Sequence, residues 1–281
     1  KVGEMKAASR EAQAKVSEKL DQLIQNSDNA VAVAMNVGAE LFLIVNQLDG
    51  ERALRIAVAD NSVESSQRTG IMRDVFSAKV ADPTLEVLLA AAEQEWSTPR
   101  EFRTGLVNLG RRAIARGAEK DGKLEQVETE LYQLANVLER EKDLTQLLSD
   151  RTAASEKKRG LLANVIYGKV TMFTEALALQ VIGRPRHNPV DDLVELSSEF
   201  AGMRGKTVAR VATAEELSDS QRGVLAQKLE KIYGREMAIH SEVDPSLLGG
   251  VVIRVGDEVI DGSTRGKLTR LRTDVAANAA L

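Results

Sequence analysis

Residues 40–84 of this chain recur at residues 130–174 with a constant offset of 90 and no gap. Glu40-Leu41-Phe42 answers Glu130-Leu131-Tyr132, and Leu48 and Glu51 answer Leu138 and Glu141. Leu54, Asp60, Ser65, Gly70, Val75, Lys79, Val80 and Thr84 are matched by Leu144, Asp150, Ser155, Gly160, Val165, Lys169, Val170 and Thr174. Thirteen of the 45 positions are identical, where unrelated sequence gives roughly one match in sixteen. A fold that ignored this period would have to place two related sequences in unrelated environments. The repeat therefore predicts two tandem copies of one structural unit.

The period within each copy is helical. Val16, Leu20, Leu23 and Ile24 follow the spacing of one helix face, as do Val33, Val37, Leu41, Ile44, Val45 and Leu48. Leu124, Val127, Leu131, Leu134 and Leu138 repeat the pattern. Aromatic residues are only 3% of the 281 residues, so the cores are filled by aliphatic side chains, as in packed helices. Asp82-Pro83, Thr98-Pro99 and Asn188-Pro189 set a capping side chain before a proline suited to the first helical turn. Thr98 with Glu101, and Ser218 with Gln221, have capping-box spacing.

Beyond about residue 205 the period changes. Residues 206–214 alternate as a strand, 218–233 form a capped helix with Leu225, Leu229 and Ile232 inward, and strands follow near 236–243, 250–255 and 258–260. A short last helix starts near Ser263 with Leu268 and Leu271 on one face. The expected fold is α+β and mostly α: two tandem helical bundles at 5–105 and 106–203, then a small α+β domain at 204–281.

Several function classes find no support. The net charge of −4 gives no field that favours nucleic acid. The chain has no cysteine, which excludes disulfides and thiolate metal sites. The most apolar stretch, residues 30–45, is interrupted by Asn36, Gly38 and Glu40 and is too short to span a bilayer, so direct membrane insertion is not expected. No signal peptide is visible, and Lys1 ahead of Met5 is compatible with further chain upstream. The stretch from Gly262 to Leu268 has three residues between its glycines where a phosphate-binding loop needs four, and Leu268 stands in place of a hydroxyl. His187 is expected in a solvated loop and His240 facing outward from a strand. Asp191 and Asp192 suit the first turn of a helix, Trp96 half-buried packing, and Arg111, Arg112 and Arg116 solvent.

The most distinctive segment runs from Val243 to Ser263, VDPSLLGGVVIRVGDEVIDGS. Asp244-Pro245 starts a turn, Gly249-Gly250 lets the chain re-enter a strand, and Gly256-Asp257 suits a tight hairpin. Asp261, Gly262 and Ser263 end that strand and cap the next helix. This segment resembles the C-terminal signature of bacterial ATP synthase delta subunits, relatives of the mitochondrial oligomycin-sensitivity-conferring protein. The likeness extends from about Arg111 to Leu271 and includes Gly122-Lys123-Leu124, Leu147-Leu148-Ser149-Asp150 and Tyr167-Gly168-Lys169-Val170. Residues 1–105 are extra relative to the short family form, and the repeat accounts for them as a duplicated bundle.

The resemblance implies a subunit of the stator, or peripheral stalk, of an F1Fo ATP synthase, present once per complex. It would grip N-terminal helices of alpha subunits and join a b-type stalk subunit at the cytoplasmic face of the bacterial cell membrane. It implies no catalytic residue, cofactor or metal, and a structural part for Asp244, Pro245, Gly249, Gly250, Gly256, Asp261, Gly262 and Ser263. The rival reading, an autonomous helical-repeat adaptor for amphipathic peptides, gives no reason for the strand–turn–strand–helix signature.

Overall fold

The structure is a computed structural model and describes residues 5–150 and 152–279, with side chains as far as Leu271. Its helices, in chain order, are α1 (Ala7–Gln25), α2 (Ala30–Gly50), α3 (Arg52–Ala57), α4 (Ser65–Phe76), α5 (Asp82–Glu93), α6 (Pro99–Lys120), α7 (Leu124–Arg140), α8 (Lys142–Ser149), α9 (Ser155–Ile166), α10 (Met172–Gly183) and α11 (Pro189–Met203). There follow β1 (Thr207–Thr213), α12 (Asp219–Tyr233), β2 (Met237–Val243), a 3-10 turn (Pro245–Leu247), β3 (Val251–Val255), β4 (Glu258–Asp261) and α13 (Thr264–Ala279). The fold is α+β and mostly α.

The period of 90 is written into the helix boundaries. α4 and α9 begin and end 90 residues apart, as do α5 and α10, and α6 and α11 both open on a proline at that spacing. Buried side chains keep the same register: Leu41 and Leu131, Leu48 and Leu138, Met72 and Leu162, Thr84 and Thr174. The loops do too, since Asp60 accepts from the Ser62 amide at 2.9 Å and Asp150 from the Thr152 amide at 2.8 Å. α6 takes part twice. Its start pairs with that of α11, while its buried Phe102, Leu106 and Ile114 stand 90 residues after buried Ala12, Val16 and Ile24 of α1.

The chain packs as two compact units: residues up to Val127 with Ala154–Arg184, and Glu128–Ala153 with the chain from Pro185 on. In the first unit α6 lies against α1, α2 and α10. Glycines allow its approach to α2. A Cβ at Gly38 would stand 2.5 Å from Ile114 Cγ1 and 3.0 Å from the Gly110 carbonyl oxygen; one at Gly110 would stand 2.5 Å from Phe42 and 3.2 Å from the Gly38 carbonyl oxygen. Helix separation depends on the side chains at the crossing, and here the backbones nearly touch. α2 is longer than the interrupted stretch at 30–45 suggested. By length and composition alone its 21 residues could cross a membrane, but Val37, Leu41, Ile44, Val45 and Leu48 are buried in the core it shares with α6. Trp96 is not half-buried but fully enclosed, donating its indole N–H to the Ala91 carbonyl at 2.8 Å with Phe102 edge-on.

Helix starts follow the sequence in three cases. Thr98 accepts from the Glu101 amide at 3.1 Å, Asn188 from the Asp191 amide at 3.0 Å, and Ser218 with Gln221 makes a full capping box. Asp82 does not cap α5: the N-cap is Ala81, and Asp82 occupies the first turn, where its charge meets the helix dipole. The Glu101 side chain does not close a box on Thr98. It accepts instead from the Ser9 hydroxyl at 2.6 Å and the Lys6 amide at 3.2 Å, tying α6 to the start of α1.

In the second unit a four-stranded sheet has the order β2-β1-β3-β4. β1 and β2 pair in parallel, so they need a crossover, which α12 supplies. β3 runs antiparallel to β1 and β4. Ala209, Val211, Met237, Ile253 and Val255 form a core with Leu229 of α12. Ile232, in the last turn of α12, is 67% exposed rather than inward, and the contact with the sheet core is made by Leu229 and Leu225. Leu268 and Leu271 of α13 are exposed, and this helix spans 16 residues rather than being short.

The crossing of α2 and α6 makes a testable contrast between two helical glycines. Gly38→Ala should destabilise the first unit by about 1–2 kcal/mol, because overpacking against Ile114 and the Gly110 carbonyl outweighs the gain in helix propensity. Gly70→Ala, where an added Cβ meets nothing within 4 Å, should stabilise by about 0.5–1 kcal/mol. Urea unfolding followed by the fluorescence of Trp96, the only tryptophan, reads both.

Candidate functional site

The signature segment forms an interlocked corner of the second unit. Asp244 donates its amide to the Thr213 carbonyl at 2.7 Å, and its carboxylate accepts from the Ser246 amide at 2.9 Å. Pro245 opens the 3-10 turn that buries Leu247 and leaves Leu248, in a left-handed conformation, 70% exposed. Gly249 and Gly250 follow with φ of 133° and 76°. A side chain at Gly250 would overlap the carbonyl oxygen of Gly262, so the segment entering β3 lies directly on the segment leaving β4. Two backbone bonds clamp them: Gly262 N–H to the Val251 carbonyl, and Thr264 N–H to the Gly249 carbonyl, both 2.9 Å.

Asp261 and Ser263 complete the corner. Asp261 accepts from the Ser263 hydroxyl at 2.7 Å and amide at 2.9 Å, and Ser263 accepts from the Gly266 amide at 2.9 Å, capping α13. Hydrogen bonds from Ser263 hold the Asp261 carboxyl below its ordinary value, and Ser246 does the same for Asp244. Gly256 turns the β3–β4 hairpin with φ of 58°. Gly262 differs from the other three glycines, since its φ is not positive and an added Cβ would meet only the Val251 carbonyl oxygen, at 3.4 Å.

His240 overturns the outward reading. It is buried, and its Nε2 lies 2.8 Å from Glu128 Oε1. The reason is that helix α7 covers that face of β2: the Tyr132 ring lies 4.5 Å from the His240 ring, centroid to centroid. Glu128, only 2% exposed, also accepts from Arg204 Nη1 at 2.7 Å, while its backbone carbonyl accepts from the Ser197 hydroxyl at 3.0 Å. One carboxylate thus joins α7 to the end of α11 and to β2. Sequence reasoning passed over Glu128. The signal was its position, four residues after Leu124 and three before Leu131, on the buried stripe of α7.

The other nominated residues are structural as placed. Arg111 is not solvated, and Arg112 and Arg116 are only part exposed. Arg111 is buried with its Nε 2.6 Å from Gln180 Oε1, and Arg112 and Arg116 converge on Asp21 at 2.5 and 2.7 Å. Partial burial where α6 meets α1 and α10 favours cations that are paired. His187, part exposed, sits 3.1 Å from Asp192 Oδ1. Asp192 is buried and accepts the amides of Arg186 and His187 at 2.7 and 3.2 Å, so it ties the loop to α11 as well as facing the dipole. Glu195 brings a third potential ligand atom within 4.8 Å of that pair.

Comparison with known proteins identifies this scaffold. The profile of the ATP synthase delta (OSCP) subunit family matches residues 112–275. The ATP synthase subunit delta of Corynebacterium efficiens is 61% identical over 275 residues, covering 98% of this chain and 100% of the relative. That of Corynebacterium diphtheriae is 58% identical over 273 residues, covering 97% and 100%. A chain of the Polytomella F-ATP synthase cryo-EM structure is 31% identical with a TM-score of 0.25, covering 27% of this chain and 96% of that one. A chain of the Toxoplasma gondii mitochondrial ATP synthase hexamer is 18% identical with a TM-score of 0.35, covering 59% and 94%. The near relatives define a component of the ATP synthase machine. Within that class, the chain belongs to the ATP synthase delta (OSCP) subunit family.

Two predictions follow from the site geometry. Gly250→Ala combines a left-handed φ with overlap against backbone and should cost about 2–3 kcal/mol, whereas Gly262→Ala should cost about 1 kcal/mol or less. Thermal melts followed in the far ultraviolet separate the two. Burial opposes ionisation of Asp21, but hydrogen bonds from Arg112 and Arg116 hold its carboxyl below the ordinary carboxylate value. A depressed folded pKa contributes stability above the unfolded pKa, and that contribution is lost as pH falls through the folded one. Asp21→Asn should therefore lower stability at pH 7 by about 0.5–1 kcal/mol, the range for partly solvated pairs, and shrink the difference from wild type below about pH 4. Urea titrations at pH 7 and pH 3 measure it.

Proposed function

We propose that this ATP synthase subunit acts in the peripheral stalk, linking the alpha/beta catalytic head to a b-type stalk subunit so that proton-driven rotation is coupled to synthesis. The observation that carries the reading is full-length identity of about 60% to delta subunits across both the repeated helices and the C-terminal signature. On this reading residues 5–105 and 106–203 are two copies of the family's helical bundle, and 204–281 is the C-terminal domain. The copy at 106–203 holds an amphipathic N-terminal helix of an alpha subunit, an exposed apolar strip between helices being what such a ligand needs. The C-terminal domain meets the stalk at the cytoplasmic face of the membrane, and the chain itself carries no catalytic group.

Two features support a load-bearing rather than a catalytic part. The corner built from Asp244, Gly249, Gly250, Asp261 and Ser263 uses its polar groups to pin backbone to backbone. The buried Glu128 is consumed in pairing with Arg204 and His240.

Removal of the chain from residue 205 onward should leave ATP hydrolysis by the detached catalytic head within about twofold of normal while synthesis in membrane vesicles falls at least about tenfold, the scale of a lost coupling contact. The paired assay decides: parallel loss of hydrolysis in a head that stays assembled would place catalysis in this chain and defeat the reading.

A further inference from the structure

The sheet of the second unit has two edges, and they are unlike. β4 is four residues long, exposed throughout, with an acidic residue at each end. β2 is seven residues long and pairs with β1 without a bulge along its whole length, Thr207 facing Met237 through Thr213 facing Val243. It carries neither proline nor lysine. Proteins generally shorten, charge, bulge or cover such an edge, because its free backbone groups are a template for another strand.

The Asp244 amide donates to the Thr213 carbonyl, and the Glu236 carbonyl accepts from the Thr207 amide. Even-numbered residues therefore turn their N–H and C=O toward β1, and the alternation of a strand turns those of Met237, Ile239, Ser241 and Val243 outward. The Val243 carbonyl accepts from Arg140 Nη2 at 3.3 Å. Among the described residues, no hydrogen bond reaches the outward groups of Ile239 or Ser241.

These two residues lie on the floor of a cavity of about 430 Å³. One wall is α7, presenting Asn136, Val137 and Arg140; the other is the first turn of α12 with the segment before it, presenting Arg222 and Leu217. Val137 and Val243 are 47% and 38% exposed there. The cavity is lined by two arginines, Arg140 and Arg222, and two glutamates, Glu216 and Glu242, so neither sign of charge predominates in its lining.

We propose that this cleft receives a short extended segment of another polypeptide of the ATP synthase, which adds to the sheet as a fifth strand beside β2. The occupant's chemistry follows from the cleft. Its backbone must be extended, because outward N–H and C=O groups on alternate residues match a strand and not a helix. It carries no net charge and turns an apolar side chain to each wall, toward Val137 and Leu217, beside polar ones that meet Asn136 and Arg140. A second copy of this chain is disfavoured, since β2 lies recessed between walls that a second recessed edge could not enter. The proposal stands independently of which subunit the stalk reading assigns as partner.

The test uses the intact ATP synthase containing the full chain. Hydrogen exchange is compared between the isolated chain and the assembled complex, and a benzophenone amino acid replacing Val137 maps what lies in the cleft. The expected result is that exchange at the Ile239 and Ser241 amides slows at least about tenfold on assembly, while the His240 amide, already bonded within the sheet, changes by less than about twofold. The cross-link should fall on a segment of a different subunit. Ser241→Pro removes an outward N–H and no bond to β1, a position where an edge strand tolerates proline, and should abolish the protection at Ile239. Should Ser241→Pro fail to fold, Val137→Glu, on an exposed helix position, should reduce the same protection. Equal protection of odd and even amides, a cross-link to a second copy of this chain, or protection that survives the charge at Val137 would each overturn the proposal.

Discussion

The near contact of two helix backbones governs the first unit. Where Gly38 of α2 meets Gly110 of α6, a methyl group on either glycine would lie only 3.0 or 3.2 Å from the other's carbonyl oxygen, closer than such a contact normally allows. The close approach lets Ile114 and Phe42 reach across and fill the space on either side. Around this crossing the same helix α6 makes its other attachments. Asp21 draws Arg112 and Arg116 to α1, and Gln180 receives Arg111 from α10. Interiors packed to crystal-like density transmit such constraints, since no neighbour has room to give. α6 is thus held on several sides by contacts of different kinds: backbone proximity, apolar packing and paired charge.

In the second unit the corresponding constraint is electrostatic. A carboxylate buried as deeply as Glu128 is tolerable only when both oxygens are partnered, because the cost of an unpaired buried charge is several kcal/mol. Arg204 and His240 meet that requirement from different elements, so the pairing fixes which elements meet. The corner at Gly250 and Gly262 contributes a purely geometric constraint to the same unit, bringing the entry of β3 onto the exit of β4.

Much of this was legible in the sequence, and what was not has a common cause. Periodicity located the helices because a 3.6-residue apolar pattern is local, and Thr98, Asn188 and Ser218 announced helix starts because a cap is made within four residues. The turn residues from Asp244 to Ser263 were legible for the same reason. Polar residues whose partners lie far along the chain were misread. His240 looked like the outward half of a strand, since nothing nearby shows that α7 covers that face; its partner is 112 positions away. Arg112 and Arg116 looked solvated because Asp21 lies more than 90 positions upstream. Asp82 resembled a cap only because a proline follows it. Gly262 was grouped with its neighbours by type, although only a backbone angle distinguishes a glycine that must be glycine from one that need not be.

The double service of α6 has a consequence for how such a chain can change. The period is 90 residues, shorter than the 114 from the start of α1 at Ala7 to the end of α6 at Lys120 (120 − 7 + 1), because α6 carries positions that answer both α1 and α11. There is no linker between the two copies to absorb an insertion. Adding one residue within α6 would rotate everything beyond it by about 100° and break phase with helices that precede and follow it alike. Length variation is therefore confined to the loops on either side of α6, and within the helix itself the chain can be substituted but not lengthened.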